Sequence, residues 1–221
     1  MLTAGIPQQA IAQFIHYDAL LLAANEQFNL TAILEPQEVA HKHFLDSLAL
    51  ATVSPAPGRT LDIGSGAGFP GIPLLIMHPE WDVTLLDASK KRCTFLQNVL
   101  DELHLQARIC HARAEDFART DRETFDTVTA RAVAPLRVLL EYMLPLARVG
   151  GVCWAYKSKS ADEEIAQAQS ALKILGAASW EIVPLASLSD DMERVLVRVE
   201  KGQPTPAQYP RKAGKPEKQP L

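Results

Sequence analysis

The sequence predicts an α/β protein with a doubly wound, mostly parallel sheet, an antiparallel strand at its C-terminal edge and an N-terminal helical extension. Three observations lead there. Short apolar runs alternate with helical stretches from residue 60 onward, the pattern of βαβ units. A cluster of alternating glycines separates the first strand from the next helix. The last two strand-like runs are joined by Ala186–Asp191, too short for a crossover helix, so they should pair antiparallel.

Residues 8–28 carry Ile11, Phe14, Ile15, Leu21, Leu22 and Phe28 at helical spacing. A second helix is predicted from Pro36, with Glu38 in its first turn, to about Ala51, with Ala40, Phe44, Leu48 and Ala51 on one face. Ser54-Pro55-Ala56-Pro57-Gly58 breaks the chain. Strands are then expected at Thr60–Ile63, Val83–Leu86, Ala107–Cys110, Thr127–Ala130 and Val152–Tyr156. Helices fall at Ile72–His78 and Lys90–Leu103, the latter turning Phe95, Leu96, Val99, Leu100 and Leu103 inward. Trp180–Leu185 and Arg194–Val199 complete the sheet. The expected division is a helical extension (1–53), a Rossmann-like domain (54–200) and a Pro-rich tail (201–221), read as extended on the surface.

Composition narrows function. The 221 residues carry a net charge of −4. The last 21 residues hold Lys201, Arg211, Lys212, Lys215 and Lys218 against Glu217 alone, so a +4 tail succeeds a −8 body. Such a body is not coated for general nucleic-acid binding. The first Lys or Arg is Lys42, so no secretory signal is expected, and no apolar run has the length of a membrane span. Cys93, Cys110 and Cys153 form no C-x-x-C pair and read as reduced, packed thiols. A cytoplasmic, membrane-free protein without a metal site is expected.

The glycine loop runs Leu61-Asp62-Ile63-Gly64-Ser65-Gly66-Ala67-Gly68-Phe69-Pro70-Gly71. Glycines there let the backbone turn tightly and approach a ligand. Gly66 to Gly71 matches the dinucleotide fingerprint G-x-G-x-x-G, a weak signal by itself. The competing register, Asp62-x-Gly64-x-Gly66-x-Gly68, sets an acid at the strand end within reach of an ammonium group, which S-adenosylmethionine has and NAD lacks. Asp87 ends the second strand 19 residues after Gly68, where a carboxylate accepts from ribose hydroxyls of either cofactor. The antiparallel C-terminal edge favours the class I S-adenosylmethionine-dependent methyltransferase type of sheet.

Through the segments Phe28–Ile33, His43–Leu48, Asp62–Pro73, Lys91-Arg92 with Phe95-Leu96, Arg113-Ala114-Glu115, Thr129–Ala134, Gly150-Gly151, Tyr209–Pro216 and Pro220-Leu221, the chain resembles the RsmG (GidB) family of ribosomal small-subunit RNA methyltransferases. It departs from many members at Ala24, where they carry Trp. The resemblance implies S-adenosylmethionine as cofactor, with contacts at Gly64, Phe69, Ala114, Glu115 and Arg131. It implies N7 of a guanine in the decoding-site loop of 16S rRNA as the methyl acceptor. An ion pair with a nearby acid is an equal reading of Arg131.

Guanine N7 carries a lone pair and no proton, so its attack on a sulfonium methyl needs no general base, and positioning and desolvation are the enzyme's work. No catalytic residue is therefore assigned. His43, Asp46 and Ser47 share one helical face; a structural hydrogen-bond set is the favoured reading, with a role lining the site left open. The expected cofactor-binding residues are Asp62, Gly64, Gly66, Phe69, Asp87, Ala114, Glu115 and Arg131. The expected RNA contacts are Lys157 and Lys159, which leave the carboxyl end of a strand, and the tail residues Arg211, Lys212, Lys215 and Lys218. The expected partner is 16S rRNA or the small ribosomal subunit, met by a monomer. Competing readings are a methyltransferase acting on another RNA or a small molecule, an NAD-dependent oxidoreductase, and a non-catalytic nucleotide-binding regulator.

Overall fold

The structure is a computed structural model that describes residues 6–54, 58–158, 160–185 and 194–221. Helix α1 (Gln8–Asn25) precedes α2 (Pro36–Val39), a π-helical turn (Ala40–Leu45) and α3 (Asp46–Val53). Then come β1 (Thr60–Ile63), α4 (Gly71–Met77), β2 (Val83–Asp87), α5 (Lys90–Leu103), β3 (Arg108–His111), α6 (Ala114–Phe117), β4 (Phe125–Arg131), α7 (Leu136–Met143), β5 (Ala147–Ser158), α8 (Ala161–Gln167), α9 (Gln169–Leu175), β6 (Ala177–Pro184), β7 (Arg194–Lys201) and α10 (Lys215–Lys218).

The seven strands lie in the order β3-β2-β1-β4-β5-β7-β6. The pairs from β3 to β5 are parallel, and β7 runs antiparallel to both β5 and β6. Strand order reverses between β1 and β4, which opens a crevice at their carboxyl ends where such sheets bind ligands. Both faces of the sheet are covered, as its uninterrupted apolar strands require. One face packs α7, α8 and α9 through residues such as Leu139, Met143, Ile165 and Leu172. The other packs α1, α3, α4 and α5 through Tyr17, Leu21, Leu50, Leu75 and Leu96. Among the described residues, no helix is long and apolar enough to cross a membrane.

Every expected strand forms, with ends shifted by a few residues, and Lys90–Leu103 is a helix whose five expected inward residues are all buried. The connection Ala186–Asp191 lies outside the described residues. Two helical faces differ from expectation. Helix α1 buries Ala10, Phe14, Tyr17 and Leu21, whereas Ile11 and Ile15 are exposed. Tyr17 carries a polar hydroxyl, yet its ring is the centre of the buried stripe. The stretch predicted as one helix from Pro36 to Ala51 contains the π-helical turn, and the extra residue in that turn rotates the helix beyond it. The buried face therefore runs through Val39, His43, Phe44, Asp46, Ser47 and Leu50, while Ala40, Leu48 and Ala51 are only half-buried.

The tail is also tighter than the expected surface segment. Lys201 is fully buried and donates to Glu123 Oε1 at 2.7 Å and to the carbonyls of Leu144 and Ala147. Burial pulls its pKa down and Glu123 pulls it back. Arg122 donates to the carbonyls of Thr205 and Tyr209, and Glu123 accepts from Thr205 N–H. Buried backbone needs partners, and these two residues supply them to a segment without strand or helix ladders.

Candidate functional site

Two cavities adjoin at the carboxyl ends of β1, β2 and β4. The first is lined by Ile63, Gly64, Leu86, Asp87, Ala112–Glu115, Val133, Tyr142 and Glu217. The second is lined by Lys42, His43, Arg131, Ala132, Ala134, Tyr156, Lys157, Glu164 and Arg194, among others. The segment Ala132–Ala134 is the partition: Val133 faces the first, and Ala132 and Ala134 face the second. Ala132 has φ +56°, a left-handed backbone unusual for a residue with a side chain, right where the wall turns.

The glycine loop is held from three sides. Asp87 Oδ2 accepts from Gly66 N–H at 2.9 Å, while its Oδ1 accepts from Ser89 N–H at 2.8 Å. Asp62 Oδ2 accepts from Gly71 N–H at 3.1 Å. The Tyr17 hydroxyl donates to the Ala67 carbonyl. Gly64 has φ +66°, and a Cβ there would lie 2.7 Å from Val133 Cγ2. Gly68 has φ +103°, and a Cβ there would lie 2.5 Å from the Tyr17 hydroxyl. Both glycines are therefore required by conformation and by space.

Asp62 sits beneath this loop. It is fully buried and lines neither cavity, so the side chain expected to reach an ammonium supports the loop from below. Its Oδ1 is buried without a hydrogen-bond partner among the described residues. Burial pushes its pKa up to about 7. Asp87, in contrast, lines the first cavity. With the carboxylate of Asp87, the first amides of α6 free of intrahelical acceptors, and apolar walls from Ile63, Leu86 and Val133, this cavity fits a nucleoside.

Arg131 lines the second cavity, and Phe69 is buried behind it. Arg131 lies over the Phe69 ring at 5.0 Å and donates to Asp46 Oδ2 at 2.7 Å and to the Lys42 carbonyl at 3.1 Å. The ion-pair reading of Arg131 is thus present in the structure, and Arg131 still faces the cavity. His43 stacks on Phe69 at 4.4 Å, and its Nδ1 lies 2.8 Å from Arg131 Nη2. A guanidinium only donates, so Nδ1 accepts and the proton is on Nε2, facing Thr31 Oγ1 at 2.8 Å. Burial, then Arg131, lowers the His43 pKa to about 4. Ser47 Oγ donates to the His43 carbonyl at 2.5 Å, and the Tyr156 hydroxyl donates to the Ser47 carbonyl. His43, Asp46 and Ser47 are therefore one hydrogen-bonded set, and His43 also lines the cavity.

Two of the expected RNA cations are corrected. Lys157 is buried; it donates to Glu164 Oε2 at 2.7 Å and to the Ala134 carbonyl at 2.8 Å. A buried ammonium must be paired, so Lys157 is a neutralised part of the wall rather than a free phosphate contact. Arg211 forms a forked pair with Glu141, which is fully buried on α7. Sequence reasoning does not single out Glu141, although an acid inside the apolar run Val138–Leu144 is a visible sign of a buried partner. Lys212, Lys215 and Lys218 are exposed. Lys159 lies outside the described residues.

Glu115 lines the first cavity, and its Oε1 accepts from Gly214 N–H of the tail at 3.1 Å. Tyr142, Glu164, Arg194 and Glu217 have no motif to mark them. Each is brought to a cavity only by packing of α7, α8, β7 or the tail.

Known proteins resemble this chain in fold and in sequence. Solved structures have the same fold at low identity: a putative S-adenosyl-L-methionine-dependent methyltransferase from Methanococcus maripaludis (TM-score 0.58, 16% identity, covering 75% of this chain and 90% of that one), and the T. thermophilus 16S rRNA N2 G1207 methyltransferase RsmC in complex with AdoMet and guanosine (TM-score 0.50, 20% identity, 73% and 39%). Among curated proteins, the ribosomal RNA small subunit methyltransferase G of Desulfitobacterium hafniense is 50% identical over 215 residues, 96% of this chain and 89% of that one. The protein of the same name from Geobacillus thermodenitrificans is 44% identical over 227 residues, 98% and 93%. The model of the GidB family, rRNA small subunit methyltransferase G, matches residues 10–192. With a matching sheet, glycine loop and strand-end acid already in place, the chain belongs to the rRNA small subunit methyltransferase G family.

Proposed function

We propose that this chain transfers a methyl group from S-adenosylmethionine to N7 of a guanine in the decoding-site loop of 16S rRNA. Family membership carries the reaction class, S-adenosylmethionine-dependent methylation of small-subunit rRNA. The observation that carries the site is the pair of cavities sharing the Ala132–Ala134 wall, one suited to a nucleoside and one open to a planar base.

S-adenosylmethionine supplies an electrophilic methyl on a sulfonium centre. The chain's residues bind and orient around it. Asp87 accepts from ribose hydroxyls, and the Gly64 backbone lets the ligand approach without a Cβ. Ala114 and Glu115 offer amides to the adenine edge. On the acceptor side, Tyr156 and Ala134 provide apolar surface, and Arg131, backed by Phe69, faces the electron-rich edge of an incoming guanine. Glu164 is the acid of that cavity, suited to the N–H groups of guanine's opposite edge. The base must leave its stack to enter. Lys212, Lys215 and Lys218 are the exposed tail cations left to meet phosphates.

The test is incubation with labelled S-adenosylmethionine and small ribosomal subunits, then cleavage specific for 7-methylguanine. One new cleavage site in the decoding-site loop is expected. Label that enters only a small molecule, or RNA at another atom, overturns the reading.

A further inference from the structure

The C-terminal tail contributes Glu217 to the lining of the nucleoside cavity. Three contacts hold the tail there. Arg211 donates from its backbone N–H and from Nε to Glu141 Oε1 at 2.8 and 2.9 Å, and from Nη2 to Oε2 at 2.5 Å. Gly214, at φ +78°, turns the chain so that its N–H reaches Glu115 Oε1. The short helix α10 then buries Pro216 and brings Glu217 to the cavity, where the Tyr142 hydroxyl donates to Glu217 Oε1 at 3.4 Å.

Three carboxylates line this cavity, those of Asp87, Glu115 and Glu217, beside the Ala112–Ala114 backbone and Tyr142. Asp87 accepts from the Gly66 and Ser89 amides at 2.9 and 2.8 Å, and Glu115 from the Gly214 amide at 3.1 Å. Glu217 accepts at 3.4 Å from the Tyr142 hydroxyl, the longest of these bonds, and so keeps the most capacity to accept from a ligand, since a carboxylate offers about four lone-pair sites. The adenine of a nucleoside presents a single N–H donor group, the exocyclic 6-amino group, since N1, N3 and N7 are acceptors.

We propose that Glu217, carried on the docked C-terminal tail, accepts from the 6-amino group and is a specificity-determining residue of the cofactor site. The tail is thus a wall of the nucleoside cavity on its inner side, while Lys212, Lys215 and Lys218 face solvent. Hypoxanthine, with a 6-oxo group, would place an acceptor oxygen against the Glu217 carboxylate where adenine offers an N–H. Tyr142 orients the Glu217 carboxylate. Its own pKa is raised by burial and by the carboxylates of Glu115, Glu217 and Glu141, so its hydroxyl stays a donor.

This inference rests on the cofactor reading above, and calorimetry separates the two. S-adenosylhomocysteine and S-inosylhomocysteine are titrated into the full chain. The wild type should bind the adenosyl compound between about 10- and 100-fold more tightly. In Glu217→Gln the amide can turn its NH2 toward the 6-oxo group, so the ratio should fall to within about 3-fold. Glu217→Ala should lower the ratio as well, chiefly by weakening the adenosyl compound. Glu217 is on the surface of a four-residue helix, so both variants should fold, which circular dichroism checks. A wild type that binds neither compound overturns the cofactor reading and this inference with it. A wild type that binds the adenosyl compound without preference, or variants that keep the wild-type ratio, overturn this inference alone.

Discussion

Arg131 Nη1 and Asp46 Oδ2 meet at 2.7 Å with both side chains almost out of solvent, 11% and 4% exposed. This pair joins the end of β4 to α3 and fixes one wall of the acceptor cavity. Asp46 is also 3.7 Å from Arg194 Nε. Two guanidinium groups thus depend on one carboxylate.

Removing Asp46 should therefore be severe. Asp46→Ala is expected to cost about 3 kcal/mol, because it leaves a nearly buried guanidinium without its counter-charge. Urea denaturation of Asp46→Ala, Arg131→Met and the double variant gives the coupling, expected at about 2 kcal/mol. Additive losses would show that the pair contributes nothing beyond its separate side chains.

Two buried groups titrate in opposite senses. His43 falls from 6.5 to about 4 on folding. Its contribution is complete above pH 6.5 and drains as pH falls toward 4. Asp62 rises from 3.8 to about 7. Its contribution is complete below 3.8 and is lost as pH rises toward 7. Asp62→Asn should thus raise Tm above pH 7 and change it little near pH 4. Scanning calorimetry from pH 4 to 8 measures this, and a pH-independent difference would contradict the burial of an ionisable Asp62.

Gly68→Ala should destabilise by about 3 kcal/mol. The added Cβ meets the Tyr17 hydroxyl at 2.5 Å and Ile72 Cγ1 at 2.6 Å, in a left-handed backbone. Because Tyr17 ties α1 to the loop, cofactor affinity measured by calorimetry should fall with stability. Gly66→Ala is the control for space, since its Cβ would meet nothing closer than the Gly64 carbonyl at 3.7 Å.

Salt dependence distinguishes free cations from paired ones. Neutralising Lys212, Lys215 and Lys218 together should lower the slope of log K against log salt for RNA binding by about 2, at roughly 0.7 per phosphate contact. Lys157→Met should leave that slope unchanged while lowering Tm, since Lys157 is bonded to Glu164 and Ala134. Filter binding at several salt concentrations checks both, and a drop in slope for Lys157→Met would return that residue to the RNA surface.

Periodicity and turn chemistry are local, so the features they encode are legible in sequence. The alternation of strands and helices, the α5 face through Phe95 and Leu103, the glycine loop and the strand-end Asp87 all depend on residues close along the chain. The two helical faces that differ have physical reasons. In α1, Tyr17 buries its ring because its hydroxyl finds the Ala67 carbonyl, a partner 50 residues away. In the second helix, one π-helical turn shifts the whole register, and no spacing rule reports a turn of altered width.

By itself the sequence determined the doubly wound sheet, its antiparallel edge, the ligand loop and the sign change of the tail. Tertiary structure alone decided which charges are free. Lys157, Lys201, Arg131 and Arg211 have carboxylate partners at 2.5 to 2.7 Å from Glu164, Glu123, Asp46 and Glu141. A charge cannot enter a protein interior without a partner, and most of those partners come from strands and helices far away in the chain. The same long-range docking turns a Pro-rich tail into a wall of the nucleoside cavity, because Gly214 and Glu217 reach Glu115 and Tyr142 only after the sheet and α7 have formed.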